Sequence, residues 1–339
     1  VGISDFATSD SLDPTLVETQ FSQHLQWQLR NNLVEAGPGG KLVPELAESW
    51  EGSKDAKTWI FKLRKGVTFH DGKSLTPADV VHSFNTHRRD GSKSMTKPIL
   101  AQIAGVRADG PDTVVFELVD GNVGFPALTS SVGLVIIPDG DTDYRRGMGT
   151  GGYILEQFEP GVRSRVKRNP NYWKAGRGNF DTVEMICIKD ATARANALLT
   201  GQIDAYNAVD PRTVALLERN AAVRINRVKS KAHFAFPMMV DQAPFSSNDV
   251  RLAMKYAIDR EEIVKRVLGG FGSPGNDHPL SAAYEFYDGS IPQRAYDPDK
   301  AKFHLAKAGE ANLRVQLHVS ETPDRKSTRL NSSHESPPR

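Results

Sequence analysis

Within FKLRKGVTFHDGKSLTPADVVHSF (61–84) two histidines and two aspartates, His70, Asp71, Asp79 and His82, crowd one short stretch. Such residue types at such spacing suit a metal site or an acid–base pair. The local grammar assigns them other work. Asp71-Gly72 is a turn dipeptide. Thr76-Pro77-Ala78-Asp79 reads as a helix start, with Thr76 as N-cap, proline at the first helical position and the acid near the dipole's positive end. Val80, Phe84 and His87 then share a face that His82 leaves. The four residues are expected to punctuate the fold. HRRD (87–90) has no kinase-like parts downstream. Cys187 is the chain's single cysteine, which excludes an internal disulfide and a cysteine-based zinc cluster. Its setting, VEMICIK, predicts an apolar strand position. Thr150-Gly151-Gly152 suggests an anion cradle, but no helix and no P-loop lysine follow. Arg163, Arg165 and Lys167 fall on one face of a strand and are expected to be solvated. GGFGSPGNDHP (269–279) has no helical continuation, so it is no dinucleotide-binding loop. No serine elbow, histidine–carboxylate pair or carboxylate pair emerges, and the expectation is a protein that is not an enzyme, without catalytic residues, metal or cofactor.

The elements that would hold these residues alternate between helix and strand. Asp13-Pro14 opens a first helix with Val17, Phe21, Leu25 and Leu29 at four-residue spacing. Residues 58–64 alternate around Trp59, Phe61 and Leu63, the period of a strand. Residues 112–119 and VGLVIIP read as strands and FPALTSS as a short helix. Residues 149–168 predict a hairpin turning at Glu159-Pro160-Gly161. A helix capped by Asp190 closes at Gly201, residues 202–206 make a short strand, and Asp210-Pro211 opens another helix. AHFAFPMMVD (232–241) is an apolar extended run broken at Pro237. A helix from Asn248 restarts at Asp259, ends at Gly269, and a last one runs from Asp297-Pro298 to Gly309 before a final strand.

The chain has 339 residues, 43 Lys+Arg against 41 Asp+Glu, and a net charge of +2. No basic excess points to nucleic acid or an anionic membrane surface. Apolar runs such as GLVIIP are too short to span a bilayer. The length favours two or more lobes. Residue 1 is Val with no charged and apolar leader before the fold, which predicts either a cytosolic protein or a removed signal segment. The last fifteen residues, RKSTRLNSSHESPPR, carry Leu330 as their one apolar side chain. Residues 325–339 are expected to be a disordered, non-native tail.

Six segments in fixed order add a more specific signal: residues 42–84, GTGGY (149–153), RNPNYWKAG (168–176), ALLTGQIDA (197–205), DVRLAMKYAIDREEIV (249–264) and YDPDKAKFHLAKAG (296–309). Together they resemble the extracytoplasmic solute-binding proteins of peptide/nickel-type ABC importers, family 5, over roughly residues 3 to 320. The resemblance implies an α/β, periplasmic-binding-protein-like two-lobed hinge fold with an extra domain inserted in lobe I. Residues 1–30 and 148–236 would form lobe I, 31–147 the inserted domain, and 237–324 the start of an incomplete, truncated lobe II. It implies a periplasmic or extracytoplasmic monomer that captures a peptide by lobe closure and delivers it to an ABC permease in the membrane. The ligand-binding candidates under that resemblance are Ser9 and Asp10 in the first turn, Tyr153 after the glycine turn, Phe234 and Phe236, Met238, and His278. Met238 and Met239 stand where many relatives carry asparagine, which suggests a softer, more apolar pocket. Three alternatives stay open: a relative that binds a nickel complex, a sugar or another small solute; a cryptic hydrolase; and a ligand-presenting receptor partner.

Overall fold

The computed structural model describes residues 1–37, 40–228, 233–282, 284, 287–318 and 329–332. The chain divides into two compact units, Val1–Asn207 and Ala208–Arg339.

In the first unit, β1 (Gly2–Ile3) leads through a turn to α1 (Gln20–Leu29). The expected start at Asp13-Pro14 yields only a single 3-10 turn, Pro14–Leu16. Val17 is extended, and the helix begins at Thr19, whose hydroxyl caps the Ser22 amide while Ser22 caps back. That reciprocal pair satisfies two orphan donors, which the Asp13 cap does not do for a longer helix. Phe21, Leu25 and Leu29 are fully buried. There follow β2 (Val34–Ala36), β3 (Leu42–Pro44), β4 (Ala47–Gly52), β5 (Thr58–Leu63), α2 (Pro77–Arg88), α3 (Lys97–Leu100), β6 (Ile103–Ala108), β7 (Thr113–Leu118) and α4 (Phe125–Leu128). Four of these strands form an antiparallel sheet in the order β4-β5-β7-β6. Its apolar face meets α2, so that Phe61, Phe84, Phe116 and Phe125 close a core of aromatic pairs, Phe84 and Phe116 at 4.8 Å between ring centroids.

VGLVIIP makes a 3-10 turn, Val132–Leu134, and then a buried extended segment that joins no sheet. Its apolar character comes from burial rather than from a ladder. The Ile136 amide donates to the Asn31 carbonyl (2.9 Å) and the Ile137 amide to Ser83 Oγ (3.0 Å), so its backbone is satisfied without a strand partner.

β8 (Tyr153–Glu159), β9 (Arg163–Arg168) and β10 (Thr182–Cys187) complete a second sheet, ordered β1-β10-β9-β8, in which β1 runs parallel to β10. It packs on α1 through Val166, Met185 and Ile3. α5 (Ala191–Leu199) is capped by Asp190 and stopped by Gly201 at φ +73°. The strand expected at 202–206 reduces to one bridge, Gly2 to Tyr206, because β1 offers only two residues to pair.

The second unit carries α6 (Val214–Leu217), α7 (Asn248–Ala257), α8 (Arg260–Val267) and α9 (Pro298–Lys307), then β11 (Val315–His318) and β12 (Arg329–Ser332). Ser247, Asp259 and Asp297 cap the last three helices through their side chains. Phe245 and Val250 centre a small core with Met238, Met254, Ala308, Leu313 and Val315. Of the apolar run 232–241, residues 233–237 join no strand. In the tail, Arg329–Ser332 pairs antiparallel with β11 where no regular element was expected; an unpaired strand edge accepts any extended partner. The rest of residues 325–339 lies outside the described residues.

Candidate functional site

The histidine–aspartate stretch is built into the fold. Asp79 is fully buried and accepts from the Thr76 amide (2.7 Å), Thr76 Oγ1 (2.7 Å), the Asp139 amide (2.7 Å) and Lys73 Nζ. Asp71 caps its own turn by accepting from the Lys73 amide at 3.0 Å. His82 Nε2 faces the Asp141 carbonyl at 3.3 Å. His70 Nε2 faces the Gly151 carbonyl at 3.3 Å, and burial pushes its imidazole down to about 4. Among the described residues no three His, Cys, Asp or Glu side chains gather as a metal site.

The glycine run is equally occupied. The Gly151 amide donates to the Leu29 carbonyl at 2.9 Å. The Gly151 carbonyl accepts from Asn169 Nδ2 at 3.0 Å, and Thr150 Oγ1 donates to Asn31 Oδ1 at 3.0 Å. The run is thus a clasp on the end of α1, with its central amide spent on the Leu29 carbonyl. Around it lies a polar network that pattern reading missed. Asn31 donates to Glu45 Oε1 (2.8 Å), Trp173 Nε1 donates to Asn31 Oδ1 (3.3 Å), Asn31 Nδ2 meets the Tyr172 hydroxyl (3.2 Å), and Lys174 pairs with Glu35 and, at 3.9 Å, with Glu45. Burial holds the Glu45 carboxyl above its ordinary range. Glu45 lies in LVPELAESW and Tyr172, Trp173 and Lys174 lie in RNPNYWKAG, whereas Asn31 and Glu35 fall outside both, so polar residues inside the family-like segments were only part of the signal.

One serine does meet a histidine. Ser94 Oγ lies 2.7 Å from His87 Nδ1 beside a cavity of about 210 Å³ lined by Thr15, Met95 and Ser131. Burial pushes the His87 imidazole down to about 4, which makes it a poor general base at neutral pH. Ser94 is itself buried and also bonded to Thr96 Oγ1 at 2.8 Å. The pair reads as a packed hydrogen-bond chain that closes α2 onto the 94–96 turn.

The candidates in the first unit stand at opposite ends of the strands of one sheet. Ser9 is exposed. Asp10 is buried, accepting from the Ala7 amide (2.8 Å) and Thr19 Oγ1 (2.5 Å), with desolvation raising its pKa. This turn sits at the carboxyl ends of β1, β8 and β10, against the β8–β9 turn: a Cβ on Gly161 would lie 3.0 Å from the Thr8 amide. Carboxyl ends of strands are where open α/β sheets take ligands. Tyr153 opens β8, paired to Arg168 at the other end of the strands, about 20 Å away by strand rise. Its hydroxyl meets the Phe180 amide at 3.4 Å. The structure therefore does not bring Tyr153 to Ser9 and Asp10.

In the second unit Phe234 is 67% exposed, whereas Phe236 lines an apolar cavity of about 410 Å³ with Met254, Ala257, Ile258, Ile263 and Val267. Met238 packs on the Phe245–Val250 core. His278 lies 5.8 Å from the Tyr287 ring. Its neighbour Asp277 is a charge hub that sequence reading did not reach: Arg260 Nη2 at 2.8 Å, Lys255 Nζ at 3.7 Å and Arg294 all converge on it. These partners are up to 39 positions apart along the chain (294 − 255), beyond any local spacing rule.

No helix among the described residues is long and apolar enough to cross a membrane. Residues 41–337 match the family described as bacterial extracellular solute-binding proteins, family 5 Middle. The chain is 30% identical over 319 residues to heme-binding protein A of Haemophilus influenzae, covering 84% of this chain and 57% of that protein. It is 29% identical over 316 residues to the glutathione-binding protein GsiB of Escherichia coli K12, covering 91% and 60%. The chain thus spans about three-fifths of the length of the curated relatives it matches. Among solved structures, the periplasmic binding protein DppA of Helicobacter pylori in complex with the peptide STSA superposes with a TM-score of 0.80 at 25% identity, covering 92% of this chain and 66% of that one. AgaA of A. tumefacien R10 in complex with agropinic acid gives 0.78 at 28% identity, covering 92% and 64%.

Proposed function

The chain belongs to family 5 of the bacterial extracellular solute-binding proteins, and on that premise we propose that it is the solute-capturing component of an ABC importer. Its place in this reading is the extracytoplasmic side of the membrane, where it takes up a peptide and hands it to a permease. The observation that carries the proposal is the family match over residues 41–337, joined to the superposition on a peptide-bound binding protein. The named relatives hold chemically unlike guests (heme, glutathione, a peptide, agropinic acid), so a nickel complex or another small solute is the alternative to a peptide. Capture here makes and breaks no bond. A guest works by differential affinity, raising the population of whichever conformation binds it better. Within the first unit, taken by itself, the contact we assign is the exposed turn around Ser9, at the carboxyl ends of β1, β8 and β10.

The test is mass spectrometry of small molecules that co-purify with the protein, followed by calorimetric titration of each. A saturable 1:1 heat with the solute recovered unaltered is the expected result. Chemical conversion of the solute overturns the proposal, as does failure of every peptide and every co-purified solute to bind.

A further inference from the structure

The second unit gathers more positive than negative charge around Asp277. Lys255 comes from the end of α7, Arg260 from the first turn of α8, and Arg294 from the loop before α9. Their side chains are 32%, 17% and 23% exposed, and the single carboxylate they share is 16% exposed. Among the described residues, three cations on one anion give the cluster an excess of two positive charges in a half-buried setting, where unbalanced charge is costly. Three other acids near these elements have partners of their own. Asp259 caps α8 by accepting from the Glu262 amide at 2.9 Å, Glu262 pairs with Arg266, and Asp297 pairs with Lys300 at 3.1 Å. The Tyr256 ring is flanked by Arg294, 4.5 Å from its centroid, and Lys300 at 5.4 Å.

The geometry points to an oxyanion site here: a carboxylate or phosphate group of a small solute, held by Lys255, Arg260 and Arg294 beside Asp277. Guanidinium groups present donors in a planar fork that fits either group, and the ammonium supplies a movable point charge. Asp277 then has two roles. It holds the three cations together in the absence of a guest, and it competes with that guest for their donors. The site stands on the charges of this unit alone and survives or fails independently of the importer reading.

The sign of two substitutions separates an anion site from a merely structural ion cluster. The protein is titrated, at matched ionic strength against chloride, with inorganic phosphate and with trialanine as the free acid and as its C-terminal amide. Saturable binding of phosphate identifies a free-anion site; binding of the free acid but not the amide identifies a solute-borne carboxylate. In either case Lys255→Gln, at the longest and most exposed of the three pairs, weakens binding at least tenfold. Asp277→Asn strengthens it at least threefold. Absence of saturable binding by both phosphate and the free acid overturns the inference, and so does equal affinity in wild type and Lys255→Gln.

Discussion

Gly149 and Leu29 are pressed together backbone to backbone: a Cβ at position 149 would lie 2.2 Å from the Leu29 carbonyl oxygen. Gly151 approaches as closely, 2.4 Å from the Gln28 carbonyl oxygen. The reason for glycine here is space, since neither residue has a positive φ. The same turn receives the Arg30 guanidinium on the Met148 carbonyl at 2.9 Å and the His70 amide on the Gly149 carbonyl at 2.9 Å. It thereby joins α1, the second sheet and the 61–84 segment.

Gly149→Ala is expected to lower stability by about 2–3 kcal/mol, because the atoms in the way are backbone and have no rotamer to change. Gly110, at φ +76° with nothing within 4 Å of a built Cβ, is the control, where alanine costs about 1 kcal/mol from the left-handed backbone alone. Urea unfolding of both variants decides the matter. Equal midpoints for Gly149→Ala and wild type would remove the close-approach argument.

Asp79 is expected to be worth far more than its neighbour Asp71. Removing its side chain orphans the Asp139 amide and takes the cap from α2, a loss of about 2–4 kcal/mol. Asp71 is exposed and caps one turn amide, so Asp71→Ala stays within about 1 kcal/mol. Chemical denaturation of Asp79→Ala and Asp71→Ala side by side is the measurement, and comparable losses would restore the symmetric reading of the two acids.

How much of this was legible follows from the range of each interaction. The β5 alternation, the Thr76–Asp79 start, the 153–168 hairpin and the Asp259 and Asp297 caps depend on neighbours within a few residues, and all were readable. The Asp13-Pro14 start was misplaced because Thr19 and Ser22 offer a better cap six residues on. Residues 132–138 passed for a strand because a buried extended segment and a buried strand share one composition. At the candidate site, Asp10 showed as an acid in a turn, but its engagement by Thr19 depends on where α1 begins. The Asn31–Glu45–Trp173 network and the Asp277 hub join distant segments, and no spacing rule carries that information.

Acid should unfold the first unit through its histidines. His70 and His87 are held near about 4 by burial, against an ordinary 6.5. The unfolded chain therefore binds more protons between those values, so stability is complete above about pH 6.5 and falls as pH drops towards 4. Each histidine contributes a loss on the order of 2–3 kcal/mol across that window. Asp10 and Glu45, raised by burial, titrate in the opposite sense and soften the slope. Stability measured at half-unit pH steps in wild type and His87→Gln checks this: the substitution should flatten the fall by about half, and parallel curves would show that His87 takes no part.

Cys187 closes β10, and burial pushes its thiol up to about 12, with Asp10 a second and smaller cause. The thiolate is the reactive species. At pH 8 its population in the folded protein is therefore expected to be lower than in the unfolded chain by about a thousandfold. Iodoacetamide should alkylate the native protein at least about a hundredfold more slowly than the protein in guanidinium. Asp10→Asn tests the order of causes: with burial dominant, the native rate stays within about threefold of wild type. A native rate within tenfold of the unfolded one would mean that the strand end opens readily and that the edge of the sheet near the first turn is loosely held.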